Sequence, residues 1–225
     1  MMDRIAWAAV AALMLAASPA AASPDKPLIV DRVVVRFDAP ETGGVAKPKF
    51  IFERELSFEA RLEAFSDKDY TDRSVPYLGR HVRAALERHI AEELLSHLAM
   101  DPEPTLAEQK LRATGAREML AARVGGEENL LSAEQAEGIE PADLDALLQR
   151  EARASLYLDR MVAPMLEPSE AELREVHRSG ANPFRAQHFD EVMVALRKWY
   201  VSERLEAALG AFFQNATARV HLTVL

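Results

Sequence analysis

The chain has 225 residues, 49% of them hydrophobic and 28% charged, with a formal net charge of -9 and no cysteine. This length and apolar content support a self-standing core, which excludes a disordered acidic tail and a disulfide scaffold. Without cysteine there is no thiol catalysis and no Cys-ligated zinc, and 27 Lys+Arg against 36 Asp+Glu argues against nucleic acid, whose phosphates need a basic surface.

Residues 1–22 read as an export signal: Arg4 precedes the apolar run Ile5–Ala17, and small residues follow from Ser18 to Ala22. The run makes a helix of about 20 Å, short of the roughly 30 Å hydrocarbon core, so cleavage near Ala22 is expected rather than a membrane span. Removing it takes out Asp3 and Arg4 together and leaves the net charge unchanged. The expected location is the periplasm, and the remainder, 23–225, is expected to be one domain.

Within it, residues 28–55 read as a strand or hairpin. Leu28–Phe37 is rich in β-branched residues and is followed by the breakers Pro40, Gly43, Gly44 and Pro48, after which Phe50–Phe52 resumes a β-like run. A helix follows to about Phe65, and then a polar loop over Ser66–Pro76. The helical body is expected over 77–180. Its first helix, Tyr77–Ala99, repeats Val82, Leu86, Ile90, Leu94 and Leu98 every four residues, a core-facing stripe. Thr105 to Glu108 is a capping box opening the next helix, which ends at Gly125 and Gly126.

Ser132 to Gln135 repeats the box spacing before a short helix capped by Gly138, and the charge-dense Glu127–Glu140 reads as solvated. Pro141 suits the first turn of a long helix carrying Leu144, Leu147, Leu148, Ala152, Ser155, Leu158, Met161 and Val162 on one side, with Pro164 closing or kinking it before Met165. Ser169 to Glu172 caps another helix. The segment 189–225 supplies a last helix to about Gln214 and an alternating tail, Val220, Leu222 and Val224 against Arg219, His221 and Thr223, which reads as a half-buried strand. The only other strand material lies near residue 30, so the expected fold is mainly α, with a small sheet joining the two chain ends.

The most suggestive ionisable group is His89, Glu93 and His97 on one helix face. Two turns separate the histidines, about 12 Å of rise, so they do not share one ion, and the spacing of a zinc hydrolase is absent. The expected reading is a polar edge of the core stripe, with His97 partly buried; His81, His177, His188 and His221 read as solvated. No nucleophile elbow, phosphate loop or dinucleotide fingerprint is present. Neither a catalytic residue nor a metal or cofactor is expected. Most methionines and aromatics at helical spacing belong to the core. The functional alternative is a flexible groove around Met161, Met165, Trp199 and Tyr200 that packs on varied apolar peptides.

The order of these parts resembles the SurA family of periplasmic chaperones. Val30–Val34, the helix ending Glu92–Leu95, the long helix Leu144–Met165, Pro168–Leu173, Asn182–Phe184, and the last helix from Phe189 with its closing strand carry the likeness. SurA-like proteins commonly place a parvulin prolyl isomerase between the last two of these, whereas here only Arg185–His188 intervenes, too short for a domain. The resemblance therefore implies a chaperone body without its isomerase: an ATP-independent holdase binding unfolded envelope or outer-membrane proteins between its helices. A dedicated assembly partner of one envelope complex is the alternative, ahead of an isomerase-related protein. The loop Asp38–Lys49 and the polar His89 depart from the family pattern.

Overall fold

Strand β1, Val33–Ala39, takes the middle of a three-stranded antiparallel sheet, between β2, Val45–Phe52, and β3, His221–Val224. The computed structural model describes residues 31–40, 45–71, 74–217 and 219–225. The expected leader over 1–22 and the start of the expected first strand, residues 28–30, lie outside the described residues. The meeting of the chain ends is realised by pairing of Val35 with Val224 and Phe37 with Leu222. Phe37, Val35 and Ile51 turn inward and are buried.

Three details of the sheet differ from expectation. The second strand begins at Val45, well before Phe50, and runs through Pro48. Pro48 is tolerated there because β2 is an edge strand, and because the register slips between Phe37/Lys49 and Ala39/Val45, placing the proline in the irregularity. The first strand continues two residues past Phe37. All four residues of β3 are exposed, so the tail is a solvent-facing edge and not a half-buried strand.

Among the described residues seven α-helices follow the sheet hairpin: α1 Glu53–Ser66, α2 Gly79–Ser96, α3 Leu106–Arg123, α4 Glu127–Glu137, α5 Pro141–Tyr157, α6 Glu170–Ser179 and α7 Phe189–Thr217. Mainly α with a small sheet is thus the fold. The capping signals act where the sequence puts them. Thr105 and Ser169 accept from the backbone N–H of Glu108 and Glu172, whose carboxylates accept from the cap residues in return. Gly138 closes α4 in the left-handed conformation, φ 65°, and Pro141 opens α5.

The Ser132 box does not act as a cap. Gly125 and Gly126, both at positive φ, turn the chain so tightly that α4 starts at Glu127, with Ser132 inside it. Two glutamates in its first turn suit the positive end of the helix dipole. The long helix also ends early. Past Tyr157 the chain widens into a π-turn, Leu158–Val162, and then a 3₁₀ turn, Ala163–Leu166. Pro164 supplies no N–H, and its ring collides with the carbonyl four residues back, so a regular α-helix does not continue there. The last helix runs past Asn215 to Thr217.

Helix α1 lies between two cores. Leu56 and Ala60 join the sheet side with Phe37, Ile51, Ala85 and Leu94, while Phe58 and Leu62 join α3, α4 and α5 through Leu120, Leu130, Leu144 and Leu148. The expected stripe of α2 is only half covered: Leu94 is buried, but Val82, Leu86, Ile90 and Leu98 are part-exposed. The most buried line on α2 is instead His81, Ala85 and His89. On α7 only Val192 and Leu196 are fully buried of the side chains described.

Candidate functional site

Two features stand out: a buried charged network at the meeting of α1, α2 and α5, and an aliphatic groove beside it. The network centres on Arg150, whose guanidinium donates to Glu55 Oε1 at 2.9 Å, to Glu59 Oε1 at 2.6 Å and to Glu92 Oε2 at 3.4 Å. His89 completes it, with Nδ1 3.0 Å from Glu59 Oε1. Burial alone would push Glu59 up, but His89 and Arg150 outweigh it and hold the carboxyl below its usual range. Burial likewise works against protonation of His89, and Glu59 with Glu55 reverses the sign, so its pKa is raised.

The expected line of His89, Glu93 and His97 therefore divides. His89 turns into the network, while Glu93 pairs with Lys49 of β2 at 2.7 Å. His97 is exposed, not part-buried, because α2 ends at Ser96 and its ring folds back onto the Glu93 carbonyl at 2.8 Å. The ligand atoms of Glu55, Glu59 and His89 lie within 4.8 Å of one another, the one such trio among the described residues. The place a cation would take between the two carboxylates is held by the Arg150 guanidinium, so a structural ion-pair network accounts for the cluster.

His81 also differs from expectation. It is buried, and its Nδ1 accepts from the Leu78 backbone N–H at 3.0 Å while Nε2 sits 3.0 Å from Asp67 Oδ2. The imidazole thus satisfies the N–H of the N-cap residue Leu78 at the start of α2, the part that an N3 Glu or Gln plays in a capping box, while Leu78 itself offers no side-chain acceptor. His81 together with Arg80 holds the Asp67 carboxyl well below the usual range.

The groove has a volume of about 770 Å³ and opens between α2, α3 and α5, with Leu209 of α7 and Val220 and Leu222 at its far rim. Among the described residues its apolar wall is aliphatic and includes the half-covered Leu86 and Ile90 of α2 and Leu158 at the π-turn, with no methionine or aromatic side chain. Met161 is part-exposed in the π-turn, Met165 is 74% exposed in the 3₁₀ turn, and Trp199 and Tyr200 sit side by side on α7, ring centres 6.5 Å apart. None of the four is among the residues that line the groove, and Arg204 lies over the Tyr200 ring at 5.3 Å.

Charged groups interrupt the aliphatic wall. Glu63 is answered by Arg88 at 2.8 Å and Arg123 at 3.8 Å. Among the described residues Glu92 has only the long contact to Arg150, and Glu151 forms no ion pair within 4 Å, with Arg88 and Arg150 acting on it from farther off. Burial pushes both carboxyls up, Glu92 to about 7. Because the folded-state value of Glu92 lies above the ordinary 4.5, its contribution to stability is whole below about pH 4.5 and is lost as pH rises through 7. Glu92→Gln is accordingly expected to match the parent near pH 5 and to exceed it by about 3 kcal/mol at pH 8. Urea unfolding at the two pH values checks this; a difference that does not change with pH refutes it.

Among the described residues no helix is long and apolar enough to cross a membrane. Compared with known protein families, with curated proteins and with solved structures, the chain matches none.

Proposed function

We propose that the protein is a periplasmic, ATP-independent holdase, which keeps unfolded envelope or outer-membrane proteins from aggregating by taking their apolar segments into the groove. The observation that carries this reading is the open aliphatic groove, in which Leu86, Ile90, Leu158 and Leu209 are left half-covered by the protein's own helices. Such a surface gains free energy by covering apolar area with a ligand. The export signal expected over residues 1–22 supports the location, and the element order supports the likeness to a chaperone body. Binding by burial needs no reaction chemistry.

The test is aggregation of an unfolded outer-membrane β-barrel, followed by light scattering at near-stoichiometric ratio. The parent protein is expected to slow it. Ile90→Arg, a charge placed in the groove from a half-covered position, is expected to abolish the effect with the helical circular dichroism spectrum intact. Met165→Ser and Tyr200→Ser probe the other surface; loss with those variants and not with Ile90→Arg would move the binding site to α7. No slowing of any client by the parent sinks the reading.

A second reading, a dedicated partner of one envelope complex, is favoured by the lack of methionine among the described residues that line the groove. Promiscuous grooves owe their adaptability to flexible methionine side chains, and an aliphatic wall suits one fixed ligand better. A single stoichiometric protein recovered from periplasm would favour this second reading, and a mixed set of β-barrel precursors the first.

A further inference from the structure

We propose that the groove selects extended peptide segments in which one lysine or arginine is set among aliphatic residues, with Glu92 and Glu151 as the carboxylates that receive the cation. This rests on the groove being a peptide site, and it names the chemistry of what enters.

Charge is unbalanced beside the apolar surface of the groove. Among the described residues five carboxylates line the groove, Glu59, Glu63, Glu87, Glu92 and Glu151, against three guanidinium groups, Arg83, Arg88 and Arg123. The pairings do not cancel evenly. Glu63 takes both Arg88 and Arg123, and Glu59 is held from behind by His89 and Arg150. Arg83 and Glu87 stand exposed at the rim, where water screens them. That leaves Glu92, one turn of α2 from Arg88, and Glu151, the residue after Arg150 on α5, with too little positive charge for their degree of burial.

Each carboxylate destabilises the other, since Glu151 adds to the repulsion felt at Glu92. A cation placed between them would relieve two desolvated charges at once, in surroundings where a charge pair is worth more than in water. An ammonium or guanidinium on a stem of three or four methylenes fits such a place. Its stem lies along the leucines while its head reaches the carboxylates. The aliphatic wall sets the neighbouring preference: Leu, Val and Ile side chains rather than rings that need stacking partners.

The experiment is a fluorescence anisotropy titration of the full chain with labelled peptides. Their Leu- and Val-rich frame is constant, and the central residue is Lys, Gln or Glu. The lysine peptide is expected to bind about tenfold tighter than the glutamate peptide, with glutamine between, and the spread to shrink as salt is raised. Glu92→Gln with Glu151→Gln should level the three affinities. Both changes remove part-buried charge and keep the shape of the side chain, so the fold is expected to be retained, which the helical circular dichroism spectrum checks. Glu170→Gln with Glu175→Gln removes the same charge from exposed α6 and should leave the preference intact.

Equal affinities for the three peptides overturn the proposal while leaving the groove a peptide site. So does a lysine preference that survives the groove variant or disappears with the α6 variant, which would assign it to net charge. Absence of binding by all three peptides overturns the peptide reading of the groove itself, and this proposal with it.

Discussion

Arg150→Met is expected to destabilise the protein by about 3–5 kcal/mol, among the largest effects of any single change. The guanidinium is the shared partner of Glu55, Glu59 and Glu92, and its side chain is only 11% exposed. Methionine fills much the same space, so lost packing is a small part of the effect. The large part is the set of carboxylates left without their cation in a place water barely reaches, with His89 the one positive neighbour remaining on Glu59. Arg150→Lys should recover part of the loss, because an ammonium keeps the charge but cannot present the fork that reaches three acids. Arg150→Met combined with Glu59→Gln should be more stable than Arg150→Met alone. Urea unfolding followed by circular dichroism gives the values, and a loss under about 1 kcal/mol for Arg150→Met would mean that the network behaves as a solvated surface pair.

Phe37→Ala is expected to cost about 3–5 kcal/mol, by removing a large side chain from a place that cannot collapse around the gap. Phe37 is fully buried at the centre of β1, opposite Lys49 on one side and Leu222 on the other. Beneath it lie Ala85 and Leu94 of α2 and Ala60 of α1, whose positions are fixed by their helices. Small side chains on rigid elements do not move in to fill a void. Leu222→Ala, directly across the sheet, is the contrast. Its side chain is 42% exposed, and the expected loss is under about 1 kcal/mol. Equal effects at the two positions in thermal and urea unfolding would show that the sheet, and not the core under it, carries the stability.

Local chemistry made much of the architecture legible. Thr105, Ser169, Gly138 and Pro141 mark helix ends because caps and turns depend on neighbours a few residues away, and the structure keeps all four. The closing of the sheet by the tail followed from a strand's need for a partner. What was not legible depends on residues far apart in the chain. His81 and His89 look like solvated or edge residues until Asp67 and Glu59 are brought against them by α1 and its following loop. Arg150 meets acids 58 to 95 residues away, which no spacing argument reaches.

The candidate site shows the same division. Met161, Met165, Trp199 and Tyr200 attract notice by residue type, whereas the groove is built from ordinary leucines that any periodicity argument assigns to a core. Leu86 and Ile90 repeat every four residues as a buried stripe does. They line a groove because no described element buries them, and how far a stripe is covered is a property of the whole packing. The acids of the groove were hidden likewise: nothing about Glu92 or Glu151 in the chain distinguishes them from the many glutamates of solvated faces.

The two walls of the groove differ in how they are held. Leu62, Leu94, Leu120 and Leu147 belong to helices packed into the two cores, whereas Val220 and Leu222, on the far rim beside Leu209, belong to the tail that carries β3, four exposed residues paired to a neighbour on one edge only. A short edge strand opens at a free-energy cost far below that of unfolding the molecule. Fraying of β3 therefore loosens that part of the rim while the helical wall stays as it is, and a ligand that touched Val220 and Leu222 would hold the strand in place.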